Sequence, residues 1–268
     1  MKKILTLALV ITCVLLASCG GNKIENTDIS SDQVQQQTTT ENVQSDKTEA
    51  DEEKVKTDEE IKEAISSRKE LSDKAMEVLS KIPEYPEGYP TLQDVADVYE
   101  KANMAIGWII STEKMPYYDD DSITVNGLEY KKVRPDCHYG AHALEHHKKE
   151  LGQTEKLIYD KKTLKAYLST LINPEEAQAY MEDARDLKKI VEDEAGYLYV
   201  LPFSYVPEGY GKENYTLDDN GDGTYTFNVK YELVDENGEV YKERTEKFDF
   251  VQIDGRWVFE DFRVIRQN

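Results

Sequence analysis

Cysteine is scarce in this chain of 268 residues: only Cys13, Cys19 and Cys137 are present. Cysteines so few and so placed build no disulfide framework, so any folded part is held by its apolar core. Basic charge is short as well. Lysine and arginine number 33 against 54 aspartates and glutamates, a formal net charge of -21. Nucleic-acid binding draws on clustered cations that displace counter-ions from phosphate, and a polybasic membrane surface needs the same clusters, so both classes are excluded. No glycine-rich phosphate cradle and no Gly-x-Ser-x-Gly elbow occurs, which removes the commoner nucleotide and serine-hydrolase sites. Hydrophobic content of 39% is low for a globular chain, yet too high for disorder throughout.

What is present begins with location. Lys2 and Lys3 precede an uncharged apolar run from Ile4 to Leu16, too short to span a bilayer and suited to the core of a secretory signal. It ends in Leu16-Ala17-Ser18-Cys19-Gly20, which resembles the bacterial lipobox. That resemblance implies a lipoprotein signal peptide over 1–18, cleavage before Cys19, and diacylglyceryl and N-acyl groups on Cys19. Two or three acyl chains hold a domain at a membrane where one does not. The expected location is the outer face of the cytoplasmic membrane, facing the cell wall. The alternative is an ordinary cleaved signal with a chance cysteine. Cys13 leaves with the signal, so Cys137 has no intramolecular partner and is either a buried thiol or an interchain link. Residues 19–55, rich in Gln, Thr, Ser, Asp and Glu, read as a disordered acidic tether.

Residues 56–90 read as an amphipathic helix with a Pro- and Tyr-rich connector. Thr57 and Glu60 form a capping box pattern, and Ile61, Ala64, Ile65, Leu71, Ala75, Val78, Leu79 and Ile82 recur mostly at helical spacings before Pro83. Residues 91–268 read as the globular domain. Thr91 caps a helix to about Ile110 whose apolar positions (Val95, Val98, Tyr99, Ala102, Ala105, Ile106, Trp108, Ile109) are too many for a one-sided surface helix. It is the expected central helix, gripped by a sheet.

Asn126-Gly127 supplies the positive φ angles of a hairpin turn within Ile123 to Tyr130. A helical block runs from Thr163 to Leu171, and Asn173-Pro174 opens another. Leu187 to Val191 and Tyr197 to Phe203 read as strands. Three alternating runs close the chain, Tyr225 to Val234, Val240 to Ile253 and Trp257 to Ile265, the last needing a bulge near Asp261. The fold class is α+β: N-terminal helices packed against a curved antiparallel β-meander.

Taken in order, the buried helix, the Tyr-rich hairpin, Leu164-x-x-Tyr167-Leu168, Asn173-Pro174-Glu175-Glu176, Tyr197-Leu198-Tyr199-Val200 and Gly255-Arg256-Trp257-Val258-Phe259-Glu260-Asp261-Phe262 resemble exported proteins of Gram-positive bacteria. These carry a cystatin-like or nuclear-transport-factor-like roll. Within that group the chain most resembles the DL-endopeptidase inhibitor (IseA-like) family, whose members block peptidoglycan-cleaving cysteine peptidases. The resemblance covers roughly 92–265. The segment from Cys137 to Gly152 departs from the family pattern, so no inhibitory residue is carried over.

Three features bear on chemistry. All four histidines fall between His138 and His147; on a helix His138, His142 and His146 share a face, which suits Zn²⁺. His142-x-x-Glu145-His146 is also the inverted zinc-peptidase pattern and resembles the insulinase-type zinc peptidases. Those enzymes take a third, acidic ligand far downstream, where this chain holds a turn, and the default is a solvated His-rich segment. Asp218, Asn220, Asp222 and Gly223 match the opening of a calcium loop, but the closing position is Val229, and a hairpin turn is the favoured account of them. The tyrosines beside Pro and Gly, including Tyr85, Tyr89, Tyr205 and Tyr210, serve either recognition or loop packing.

The expected function is a membrane-anchored, non-catalytic binding module for a basic cell-envelope protein such as a wall hydrolase, inhibiting a DL-endopeptidase. The alternatives are a zinc-binding protein using the His138–His147 segment, or a module for cell-wall glycan.

Overall fold

The computed structural model describes residues 57–137, 155–204, 209–235 and 237–265. Four helices, α1 (Asp58–Leu79), α2 (Leu92–Ile110), α3 (Lys161–Leu168) and α4 (Pro174–Asp186), combine with two four-stranded antiparallel sheets in an α+β fold. No helix among the described residues is long and apolar enough to cross a membrane.

The first sheet runs in the order β1 (Tyr117–Val125), β2 (Leu128–Val133), β6 (Leu198–Val200), β5 (Ile190–Glu192). Asn126 at φ 53° and Gly127 at φ 79° turn β1 into β2 as the sequence predicts. The strand expected from Leu187 begins only at Ile190, because Leu187 caps α4 and Lys188 adopts a φ of 53°. A two-stranded ribbon, β3 (Asp136–Cys137) with β4 (Glu155–Lys156), lies at the edges of the undescribed stretch.

The second sheet is a meander in the order β10 (Arg256–Phe259), β9 (Val240–Ile253), β8 (Tyr225–Val234), β7 (Gly209–Asp219). Alternation along β8 buries Phe227, Val229, Tyr231 and Leu233 on one face. The Tyr99 ring of α2 lies 5.5 Å from Tyr215, 5.2 Å from Phe227, 5.8 Å from Phe248 and 6.4 Å from Phe259, one residue on each of the four strands. Four flat strands would span about 14 Å, so a single ring reaches all of them only because the sheet curls around α2. On its other side α2 stacks Trp108 on Tyr167 of α3 at 6.3 Å.

Local chemistry explains the remaining boundaries, with corrections. Both Thr57 and Thr91 cap their helices through complete capping boxes. The third helix begins at Lys161, not Thr163: Asp160 is its cap, and Thr163 is the third residue of the box. On α1, Ile65 and Val78 are exposed while Ser72 is buried, because the buried side of the helix includes a polar seam to Asp160. The last strand stops at Phe259 rather than continuing to Ile265. No bulge is needed, since the chain leaves the sheet and returns Phe262, Val264 and Ile265 to the core.

Candidate functional site

Within β1 the register jumps. Tyr117 faces Val133 and Ser122 faces Lys131, so Tyr118, Asp119, Asp120 and Asp121 stand opposite Lys132 alone. Such a bulge on an edge strand re-aims side chains and leaves backbone unpaired. Beside it opens a groove of about 720 Å³ whose lining includes Tyr118, Asp120, Asp121, Lys132, Tyr159 and Tyr197.

The groove floor is fixed by a polar chain. The hydroxyl of buried Tyr199 donates to Asp121 Oδ1 at 3.1 Å, and Asp121 Oδ2 takes Lys132 Nζ at 3.0 Å. Lys132 Nζ also sits 4.2 Å over the Tyr197 ring. Burial, then the charges of Asp121 and Asp193, raises the Tyr199 hydroxyl well above the usual tyrosine range, so it remains a donor. Asp121 is therefore satisfied within the fold. Asp120 is exposed and has no ion pair or hydrogen bond among the described residues. The Asp119 carbonyl accepts Lys131 Nζ at 2.9 Å, while that ammonium pairs with Glu129. The rim thus presents, among the described residues, a carboxylate without a counter-ion beside tyrosine rings.

Other candidates fall elsewhere. Cys19, His138, His142, Glu145 and His146 lie outside the described residues. Cys137 is placed by its backbone alone, opposite Glu155. Asp218, Asn220 and Asp222 belong to the β7–β8 hairpin: Asp218 Oδ2 accepts from Asn228, Asn220 Oδ1 from Thr226, and Asp222 Oδ1 from the Thr224 amide and hydroxyl. Gly221 and Gly223 supply φ of 77° and 87° in this turn. Among the described residues no three His, Cys, Asp or Glu side chains gather as a metal-binding group.

Tyr85 and Tyr89 pack as structure. Their rings lie 4.5 Å apart, Tyr89 sits 6.2 Å from Trp257, and the Tyr85 hydroxyl accepts the Trp257 amide at 3.0 Å. Tyr205 is outside the described residues, and Tyr210 is placed by its backbone in β7.

The run Asp119-Asp120-Asp121 is visible in the sequence as charge, but nothing local announces the bulge that turns it toward a groove. No family model matches the chain, and no curated protein matches it.

Proposed function

We propose that this chain is a membrane-anchored extracytoplasmic lipoprotein whose α+β domain is a non-catalytic binding module for a basic cell-envelope protein. The resembled DL-endopeptidase inhibitor family supplies the finer reading: the partner is a wall DL-endopeptidase, held and blocked. The observation that best supports binding is Asp120, a carboxylate with no counter-ion among the described residues, at the rim of a tyrosine-lined groove. A side chain in that setting gains a partner when a lysine or arginine arrives, and Tyr118 and Tyr159 offer contact area at low entropy cost. The overall charge of -21 favours encounter with a basic protein. The anchor at Cys19 accounts for the apolar leader and the acidic stretch after it.

The test is calorimetric titration of the chain with a purified basic wall DL-endopeptidase at low and raised ionic strength. Binding that weakens with salt, and that weakens about tenfold more in Asp120→Lys, supports the reading. Unchanged affinity in that variant would remove the groove from the interface, and no binding at low salt would remove the partner class.

A further inference from the structure

The chain holds three Asn-Gly pairs, Asn126-Gly127, Asn220-Gly221 and Asn237-Gly238, each at the turn of a β-hairpin. In such a pair the glycine amide nitrogen can attack the asparagine side-chain carbon, because glycine has no Cβ to crowd the approach. Space does not separate the three. All three asparagines are exposed, the glycines lie at φ 79°, 77° and 81°, and a Cβ at any of them would meet nothing within 4 Å. What separates them is hydrogen bonding.

At the β7–β8 turn both reacting groups are held. Asn220 Nδ2 donates to Thr224 Oγ1 at 3.0 Å, Asn220 Oδ1 accepts from Thr226 Oγ1 at 3.2 Å, and the Gly221 amide donates to Asp219 Oδ1 at 2.8 Å. At the β8–β9 turn the Asn237 side chain donates to the Asp235 carboxylate, and the Gly238 amide donates to the Asp235 carbonyl at 3.0 Å. At the β1–β2 turn neither the Asn126 side-chain amide nor the Gly127 amide has a hydrogen bond among the described residues. The flanking pairs, Val125 opposite Leu128 and Thr124 opposite Glu129, hold the turn in place and leave its two tip residues facing water.

We propose that Asn126 is a site of intramolecular deamidation in the folded chain, favoured over Asn220 and Asn237. The Gly127 nitrogen gives up its proton and bonds to Asn126 Cγ. The Cγ–Nδ2 bond breaks, and Nδ2 leaves with that proton as ammonia, which closes a succinimide ring. Water then opens the ring: its hydroxyl joins one ring carbonyl carbon and its proton goes to the nitrogen. The product is aspartate or, where the chain now runs through Cγ, isoaspartate. A peptide nitrogen is a poor nucleophile until it loses its proton, so a bound N–H is doubly held back. Each hydrogen bond that has to open first slows the attack by about fivefold. Isoaspartate lengthens the backbone within the turn that sets the register of β1 on β2.

Incubation of the full chain at mildly alkaline pH, with its proteolytic peptides followed over time by mass spectrometry, tests this. The peptide holding Asn126 is expected to lose ammonia and gain water, ending as a mixture of aspartate and isoaspartate. It is expected to convert at least about tenfold faster than the peptides holding Asn220 and Asn237. In urea-unfolded chain the hairpins are gone, and the three rates are expected to converge. No conversion at Asn126, equal rates in the folded chain, or earlier reaction at Asn220 or Asn237 overturns the proposal. So does a difference that persists in urea, because it would then belong to the neighbouring residues and not to the hairpins.

Discussion

Arg68 of α1 reaches across to the start of α3, where its Nη1 donates to Asp160 Oδ2 at 2.7 Å and its Nε to the Ala195 carbonyl at 3.0 Å. Asp160 is also the cap of α3, accepting the Thr163 amide at 2.8 Å. Burial alone would raise its carboxyl, but hydrogen bonds from Thr163, Ser72 and Arg68 outweigh that and hold it below the usual aspartate range. Removing one partner of a buried pair leaves the other charge exposed to the full desolvation cost. Since Asp160 keeps its Thr163 bonds, Arg68→Ala is expected to cost about 2 kcal/mol, read as a lower urea midpoint at neutral pH. A lowered folded pKa contributes stability above the ordinary value of about 3.9 that is lost as pH falls through the folded value. Acid unfolding of the Arg68→Ala variant is accordingly expected at a higher pH than in the native chain. This contact joins residues 92 positions apart, so no spacing rule discloses it. Glu100 was not singled out in the sequence, although it is an acid among the apolar positions of a helix with Val95, Tyr99, Ala102 and Ile106 buried around it. A buried acid on such a helix implies a partner, although the sequence does not say which.

At the level of elements, local signals carried furthest. The Thr91 box is visible as a Thr three residues before Asp94, and the fold completes it: the Asp94 amide meets Thr91 Oγ1 at 3.3 Å and the Thr91 amide meets Asp94 Oδ2 at 2.8 Å. Thr91→Ala is expected to destabilise by about 1 kcal/mol, a lowering of the thermal midpoint by about 2–4 °C, with no change in partner binding. The Asn126-Gly127 hairpin, the Pro174 helix start and strands β8 and β9 were legible for the same reason, being fixed by short-range chemistry or strict alternation. Strand β7 was not. Its Gly209-Tyr210-Gly211-Lys212 opening lacks alternation, and the bulge shifts the pattern just where it would have begun. The first sheet was equally hidden as a unit, because Lys131 pairs with Val200 and no local pattern encodes that pairing. The end of β10 was misread because Phe262, Val264 and Ile265 are buried by a returning chain, which mimics a strand in composition alone.

For the whole molecule, the apolar core and the acidic surface divide the labour. The second sheet curls around Tyr99 while α3 packs on Trp108 at the other side of α2, an apolar core built from both faces of one helix. The groove beside β1 lies on the other sheet, where Asp121 and Lys132 are mutually satisfied and Asp120 has no ion pair or hydrogen bond among the described residues. Under the proposed function the chain would alter its partner by occupying it, so its effect should saturate with stoichiometry and fade as salt screens charges over about 8–10 Å. The most direct measurement is peptidoglycan hydrolysis by a purified basic wall DL-endopeptidase at increasing concentrations of this chain, at low and raised salt. The account predicts inhibition that saturates near one chain per enzyme, weakens in salt, and is relieved in Asp120→Lys. Hydrolysis that proceeds at the same rate at every concentration would contradict it.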